Sequence, residues 1–311
     1  EGRRPVRALS TPTKKSTSPV YRGRIIASFG RSFAVELADG SLITCTTRGK
    51  RTDIACGDRV AVAMTAPEQG VIESIEPRAS LFYRSDIQRQ KLIAANVTRI
   101  IVVLAVPTLH LHLLDRCLAA AEHAGIPVLL ALNKMDLPQA DTALAALGPY
   151  RALGYEVLPL AAKIDIAPLR AALRGHTSVL VGQSGMGKST IINRLLPDAA
   201  ARVGDLSAAL GSGRHTTTHA RLYHLDADSA IIDSPGLQEF GLQHVGPSDL
   251  AHCYVEFRPQ LGRCKFNDCR HMAEPGCAII ALMESGVIAA SRVASYRELL
   301  LQIENKARRR D

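Results

Sequence analysis

Gly182, Gly187, Lys188 and Ser189 stand in the spacing G-x-x-x-x-G-K-S within "GQSGMGKST", a pattern that holds phosphate. Glycines let successive backbone N–H groups turn inward around a β-phosphate, and the positive end of a following helix adds to the attraction. A lysine at Lys188 reaches β- and γ-phosphate oxygens, and the hydroxyl of Ser189 can ligate Mg²⁺. The whole loop, Gly182, Gln183, Ser184, Gly185, Met186, Gly187, Lys188, Ser189 and Thr190, is therefore expected to bind a nucleotide with Mg²⁺. It leaves the base open.

The tetrapeptide "NKMD" at Asn133 to Asp136 addresses the base. A carboxylate such as Asp136 accepts two N–H donors, from N1 and N2 of guanine, whereas adenine offers no such pair. Asn133 can bond both the base and the phosphate loop. After the next strand-like run comes "LAAK", where Ala161 and Ala162 open a short turn and the Ala162 N–H can meet guanine O6. Lys134 and Lys163 would lay their aliphatic stems on the two faces of the ring. An ordinary loop is the plainer reading of so short a tripeptide as Ala161 to Lys163. Downstream, "AIIDSPGL" places Asp233 to hold a Mg²⁺-bound water and the Gly236 N–H to contact a γ-phosphate. Between the phosphate loop and that strand lies "GRHTTT", in which Thr217 or Thr218 is the expected metal-ligating hydroxyl.

A second chemistry sits near the end. Cys264, Cys269, His271 and Cys277 in "CKFNDCRHMAEPGC" supply three thiolates and an imidazole, a set suited to one tetrahedral, structural Zn²⁺. A redox-active or merely buried cysteine cluster is the alternative. The other cysteines, Cys45, Cys56, Cys117 and Cys253, read as ordinary core or surface residues.

These groups need elements to position them. From Tyr21 to Glu76, five short alternating runs separated by turn signals predict a compact Greek-key barrel, with an OB-fold leading. Arg22, Arg24, Arg31, Arg48, Lys50, Arg51 and Arg59 decorate it, as an RNA-binding groove or as any soluble barrel's charged face would have it. The middle alternates apolar strands with helices: "TRIIVVLAV", a helix ending at Gly125, "PVLLALNKMD", a helix near "ADTALAALGPYRALG", "EVLPLAAK", "IAPLRAALRG" and "TSVLVGQSGMGKSTIINRLL". Each motif thus falls at a strand's carboxyl end, where open α/β sheets bind ligands. The end of the chain reads as helices with a basic terminus. The expected division is a disordered basic tail over 1–19, a barrel over 20–77, an α/β nucleotide domain over 78–245 and a helical zinc-binding domain over 246–311.

The order of the motifs is unusual. A GTPase ordinarily runs from phosphate loop to base-reading tetrapeptide, whereas here "NKMD" and "LAAK" come first and "DSPG" last. The chain reads as a circular permutation, cut after the strand that carries "DSPG", which domain termini lying close in space would permit. The segment that senses γ-phosphate then runs directly into the C-terminal domain.

Composition bounds the setting. The 311 residues are 47% hydrophobic with a formal charge of +9, enough for one sizeable core with satellites and suggestive of a polyanionic partner. No apolar run approaches the roughly 20 residues that cross a bilayer, and "EGRRPVRALSTPTKKSTSP" contains no signal-like segment, so a cytoplasmic protein without a membrane partner is expected.

Taken together, "AANV", "GQSGMGKST", "GRHTTT", "DSPG" and the terminal Cys/His cluster, in this order, resemble the RsgA family of ribosome small-subunit-dependent GTPases. The resemblance covers nearly the whole chain from Tyr21. It implies an OB-fold touching ribosomal RNA, a permuted GTPase and a zinc-containing helical domain that assist or check late maturation of the small subunit, as a monomer cycling between GTP and GDP. Two departures are Ala161, where many GTPases have Ser, and the basic tail. Many GTPases also carry a water-orienting Gln after the motif glycine; here that position is Leu237, which cannot hydrogen-bond. His215 matches the family's "RHTT" position and is the expected catalytic substitute, a loop-packing or RNA-facing histidine being the other reading. Two other classes compete: a P-loop ATPase or kinase, opposed by Asn133 and Asp136, and an RNA-binding scaffold with a vestigial nucleotide site, opposed by intact Lys188, Ser189 and Asp233.

Overall fold

The alternating runs of the first segment form five strands, β1 (Val20–Phe29), β2 (Ser32–Leu37), β3 (Leu42–Thr47), β4 (Arg59–Ala66) and β5 (Gln69–Ile75). The computed structural model describes residues 19–49, 51–85, 90–197, 220–233, 242 and 245–307. β1 pairs with both β2 and β4, β2 with β3, β3 with β5 in parallel, and β5 with β4, which closes a five-stranded barrel of the OB type. Alternate residues point inward, so Ile25, Phe33, Val35, Ile43, Cys45, Val60, Val62 and Ile72 form its interior. The tail up to residue 18, Lys50 and the last four residues, 308–311, lie outside the described residues.

A hairpin not expected from the sequence follows, β6 (Leu81–Ser85) with β7 (Gln90–Ala95). It packs between the barrel and the central sheet, the Ala95 N–H donating to the Cys56 carbonyl at 2.8 Å and Phe82 lying fully buried in the core it shares with β8 and α1.

The middle of the chain gives β8 (Arg99–Ala105), α1 (Leu111–Ala124), β9 (Val128–Asn133), α2 (Ala140–Ala146), α3 (Gly148–Ala152), β10 (Glu156–Pro159), α4 (Ala167–Ala172), β11 (Thr177–Val181), α5 (Lys188–Leu195), β12 (Arg221–His224) and β13 (Ala230–Asp233). α1 ends as expected, with Gly125 left-handed at φ 64°. The single helix expected near residue 147 is two, because Pro149 lacks an N–H to continue the first and fits the opening turn of the second. The strands lie in the order β10-β9-β8-β11-β13-β12, all parallel except β12. Chain direction therefore diverges between β8 and β11, and the crevice at their carboxyl ends is where such sheets take ligands. The permutation is visible here: β8 to β10 occupy one flank and precede β11 in sequence, while β13 and β12 occupy the other. β12 also pairs with β1 at Ala27 and Arg221, joining barrel and central sheet.

Strand period sorts the core into two layers. Ile100, Val102 and Leu104 of β8 face α1, while Ile101 and Val103 face α4 and α5. The C-terminal part, α6 (Pro247–Leu250), two 3₁₀ turns at Ala251–Cys253 and Arg258–Gln260, α7 (Ala278–Glu284) and α8 (Ala290–Ala307), shares the α1 layer through Tyr254, Phe257 and Tyr296. At that junction Arg292 of α8 is buried between Asp115 of α1 at 2.5 Å and Glu256 at 2.6 Å, with its guanidinium 4.4 Å from the centre of the Tyr254 ring. Burial works against this charge; the hydrogen bond to Glu256 and the Asp115 carboxylate outweigh it and raise the Arg292 pKa. No helix among the described residues is long and apolar enough to cross a membrane.

Candidate functional site

The phosphate-type loop leaves β11 where two backbones nearly touch. A Cβ at Gly182 would lie 2.5 Å from the Val103 carbonyl oxygen, so only glycine fits between β11 and β8. The loop then turns into α5, whose first helical residue is Lys188. The Lys188 ammonium arches back over the loop and donates to the carbonyls of Gly182 at 2.6 Å and Gln183 at 2.7 Å. Ser184, Gly185 and Ser189 are exposed, and Gln183, Met186, Gly187 and Thr190 half-buried. Asp233 ends β13 on the neighbouring strand. Burial raises its pKa and Lys188 lowers it, while burial lowers the Lys188 pKa and Asp233 raises it. Desolvation leads on both sides, drawing the two pKa values toward each other, while each charge partly steadies the other.

Asn133 joins this loop to the two base-reading segments. It ends β9 nearly buried; its Nδ2 donates to the Met186 carbonyl at 3.0 Å, and its Oδ1 accepts the Ala162 N–H at 3.0 Å. A Cβ at Gly187 would lie 2.3 Å from Nδ2, so a glycine is needed at this position to admit the amide. Lys134 then takes a left-handed turn at φ 62°, leaving Asp136 exposed, and the Met135 N–H is fastened to the Leu160 carbonyl at 3.1 Å. Ala161 is half-buried, Ala162 buried and Lys163 exposed at the turn after β10. The structure thus gathers Asn133, Lys134, Asp136, the 161–163 turn, the phosphate-type loop and Asp233 at one edge of the sheet. It also changes one expectation: the Ala162 N–H offered to guanine O6 is already engaged by Asn133. His215, Thr217, Thr218 and Gly236 lie outside the described residues, as does Leu237.

The Cys/His cluster forms in a loop between the second 3₁₀ turn and α7. Ligand atoms of Cys264, Cys269, His271 and Cys277 all lie within 4.8 Å of one another. Cys264 and Cys277 sulfurs are 3.9 Å apart, and His271 Nδ1 is 3.6, 3.6 and 3.3 Å from the sulfurs of Cys264, Cys269 and Cys277. A tetrahedral ion with bond lengths usual for zinc requires edges of about 3.8 Å between sulfurs and about 3.6 Å from sulfur to nitrogen. The four distances given lie close to these edges and the whole donor set lies within 4.8 Å, so the four residues could hold a metal ion. Glu274, between the ligands, accepts N–H bonds from Arg270, Met272 and Ala273 at 3.0, 2.8 and 3.1 Å. Partial burial pushes its carboxyl up, but these bonds prevail and hold it at about 2. The acid in "CRHMAEPGC" was legible; its role was not, because its partners are backbone groups.

Several arginines of the basic barrel face have acidic partners while remaining at the surface. Arg22, Arg48 and Arg51 pair with Glu76, Glu73 and Asp53 at 3.3, 2.7 and 2.6 Å. Arg24 points toward the central sheet, donating to Thr177 at 3.0 Å.

Residues 75–243 match the profile of the RsgA GTPase family. A protein named small ribosomal subunit biogenesis GTPase RsgA from Nitrosospira multiformis is 53% identical over 298 residues, 95% of either chain. One of the same name from Nitrosomonas europaea is 51% identical over 92% of this chain and 93% of its own. Among solved structures, YjeQ from Thermotoga maritima superposes with a TM-score of 0.72 at 28% identity, over 92% of this chain and 99% of that one. YloQ, described as a circularly permuted GTPase, gives a TM-score of 0.70 at 24% identity over 95% and 99%, which speaks for the fold.

Proposed function

The chain belongs to the RsgA GTPase family, and from that premise we propose that it is a GTP-hydrolysing switch that binds the small ribosomal subunit and assists or checks its late maturation. Hydrolysis would be stimulated by the subunit and coupled to release. The observation that carries the nucleotide part is the pair of bonds from Asn133, which fixes the phosphate loop against the base-reading turn at one sheet edge. In this reading Asp136 accepts guanine N1 and N2, and Lys134 and Lys163 cover the ring. The loop from Gly182 to Thr190 wraps the phosphates, with Lys188 exchanging its two carbonyl partners for phosphate oxygens. Mg²⁺, bound with the nucleotide, offsets the charge on the β- and γ-phosphates; Ser189 with Thr217 or Thr218 would hold it, and Asp233 would orient one of its waters. Gly236 reports the γ-phosphate and His215 orients the attacking water.

The Cys264, Cys269, His271 and Cys277 set takes one structural Zn²⁺, since no ligand position is left open for chemistry. The segments act as a barrel over 20–77 that touches ribosomal RNA, a nucleotide domain over 78–245 and a zinc-bearing domain over 246–311. The protein works as a cytoplasmic monomer. Binding experiments test this directly: GTP and GDP should bind far more tightly than ATP, and sedimentation with small subunits should differ between GDP and a non-hydrolysable GTP analogue. Equal affinity for ATP, or sedimentation indifferent to nucleotide, would refute the switch.

A further inference from the structure

The turn from Ala161 to Asp165 is braced from an unexpected side. The Ile164 and Asp165 N–H groups both donate to the Ala161 carbonyl, at 2.8 and 2.9 Å, and the Asp165 carboxylate accepts the Ala167 N–H at 2.8 Å. These bonds set the curvature of the turn without setting its position. Position comes from two partners: Asn133, which accepts the Ala162 N–H, and Arg194 in the last turn of α5, whose Nη2 donates to the Ile164 carbonyl at 3.1 Å. Arg170, in α4 just beyond the turn, reaches the opposite way, donating to the Leu195 carbonyl at 2.9 Å, with the Arg194 carbonyl at 3.5 Å. Carbonyls at a helix's C-terminal end lack partners within the helix and carry partial negative charge, so a guanidinium is well placed there. The two arginines form a reciprocal tie between the far end of the phosphate-loop helix and the turn that reads the base.

What this tie orients is the Lys163 peptide. With the Ala162 N–H engaged, the Lys163 N–H is the next donor on the turn, and it has no acceptor among the described residues. The Ile164 side chain is 69% exposed, so its own burial contributes little to holding the peptide. We infer that Arg194 is a positioning residue for guanine recognition: through the Ile164 carbonyl it fixes the Lys163 N–H where that donor, instead of the Ala162 N–H, meets the base oxygen O6.

The inference rests on the guanine reading of the site, and its test separates the two. The probes are GDP and 6-thioguanosine 5′-diphosphate, which keeps the N1–H and 2-amino donors for Asp136 but carries a weakly accepting sulfur in place of O6. Arg194→Ala should weaken GDP binding about fivefold to tenfold, the scale of one charge-assisted hydrogen bond discounted for exposure, and leave the analogue within about twofold. Arg194→Lys, which can still donate to the carbonyl, should recover part of the loss. A structural brace alone would weaken both ligands equally, and that result, or no change in either, overturns the inference. A wild-type protein that does not prefer GDP to ADP would instead overturn the guanine reading itself.

Discussion

At the scale of single residues, the site was legible wherever side chains carry the chemistry. Asn133, Asp136, Lys188 and Asp233 gather where their motifs leave the carboxyl ends of strands, and the four Cys/His ligands gather separately in one tight loop. Backbone donors leave no mark in residue type, which is why the engagement of the Ala162 N–H by Asn133 and the three N–H bonds to Glu274 emerge only from the coordinates. Two predictions belong here. Asp136→Asn replaces one acceptor by a donor and should move preference from GTP toward xanthosine triphosphate, whose O2 is an acceptor; undiminished guanine preference in a competition assay would remove "NKMD" from base recognition. His215→Ala should slow subunit-stimulated turnover by about 10²-fold or more while GTP affinity changes little, because a water-orienting contact is made mainly in the transition state. A variant that binds subunits normally and turns over at the wild-type rate would leave the water to other groups.

At the scale of elements, strands with strict alternation and helices with clear stops matched their sequence signals, as α1 did at Gly125. The misses share a cause. β12 is four residues long and reads as part of a polar loop, and the apolar residues of the β6–β7 hairpin fall in unbroken runs, Leu81–Tyr83 and Leu92–Ala95, that show no alternation, so tertiary pairing, not local pattern, makes these three strands. The junction of α1 with α8 was also hidden, since nothing in "SRVASYRELL" says that Arg292 is buried. Arg292→Met should cost about 3–5 kcal/mol in urea unfolding by leaving the Asp115 and Glu256 carboxylates uncompensated. Adding Asp115→Asn and Glu256→Gln should restore part of that stability, and an unchanged midpoint for the single variant would mean the ion cluster holds nothing. The metal loop makes a parallel claim: purified protein should contain about one Zn²⁺ per chain. Cys269→Ser should lower the stability of the C-terminal part and subunit association while GTP binding persists. Metal analysis that finds no zinc in protein prepared without chelators would contradict this.

At the scale of the whole molecule, permutation changes wiring more than geometry. β11 still lies between β8 and β13, so every ligand-facing strand end keeps its neighbours. Two connections gain importance. β12 pairs with β13 on one side and with β1 of the barrel on the other. On one face of the sheet, α1 shares a buried core with α8. Barrel and C-terminal part are thus each attached to the nucleotide-bearing sheet, and a large polyanionic partner gripping both would bear on the site between them. Motif order pointed toward such a partner, which net charge alone could not decide, and neither could show these attachments, which depend on contacts far apart in the chain. The most direct test is single-turnover GTP hydrolysis with and without saturating small ribosomal subunits. Slow hydrolysis alone, accelerated at least about tenfold by subunits and abolished by Lys188→Ala, is the predicted result; a rate that subunits leave unchanged would contradict the central claim that this GTPase is switched by the particle it binds.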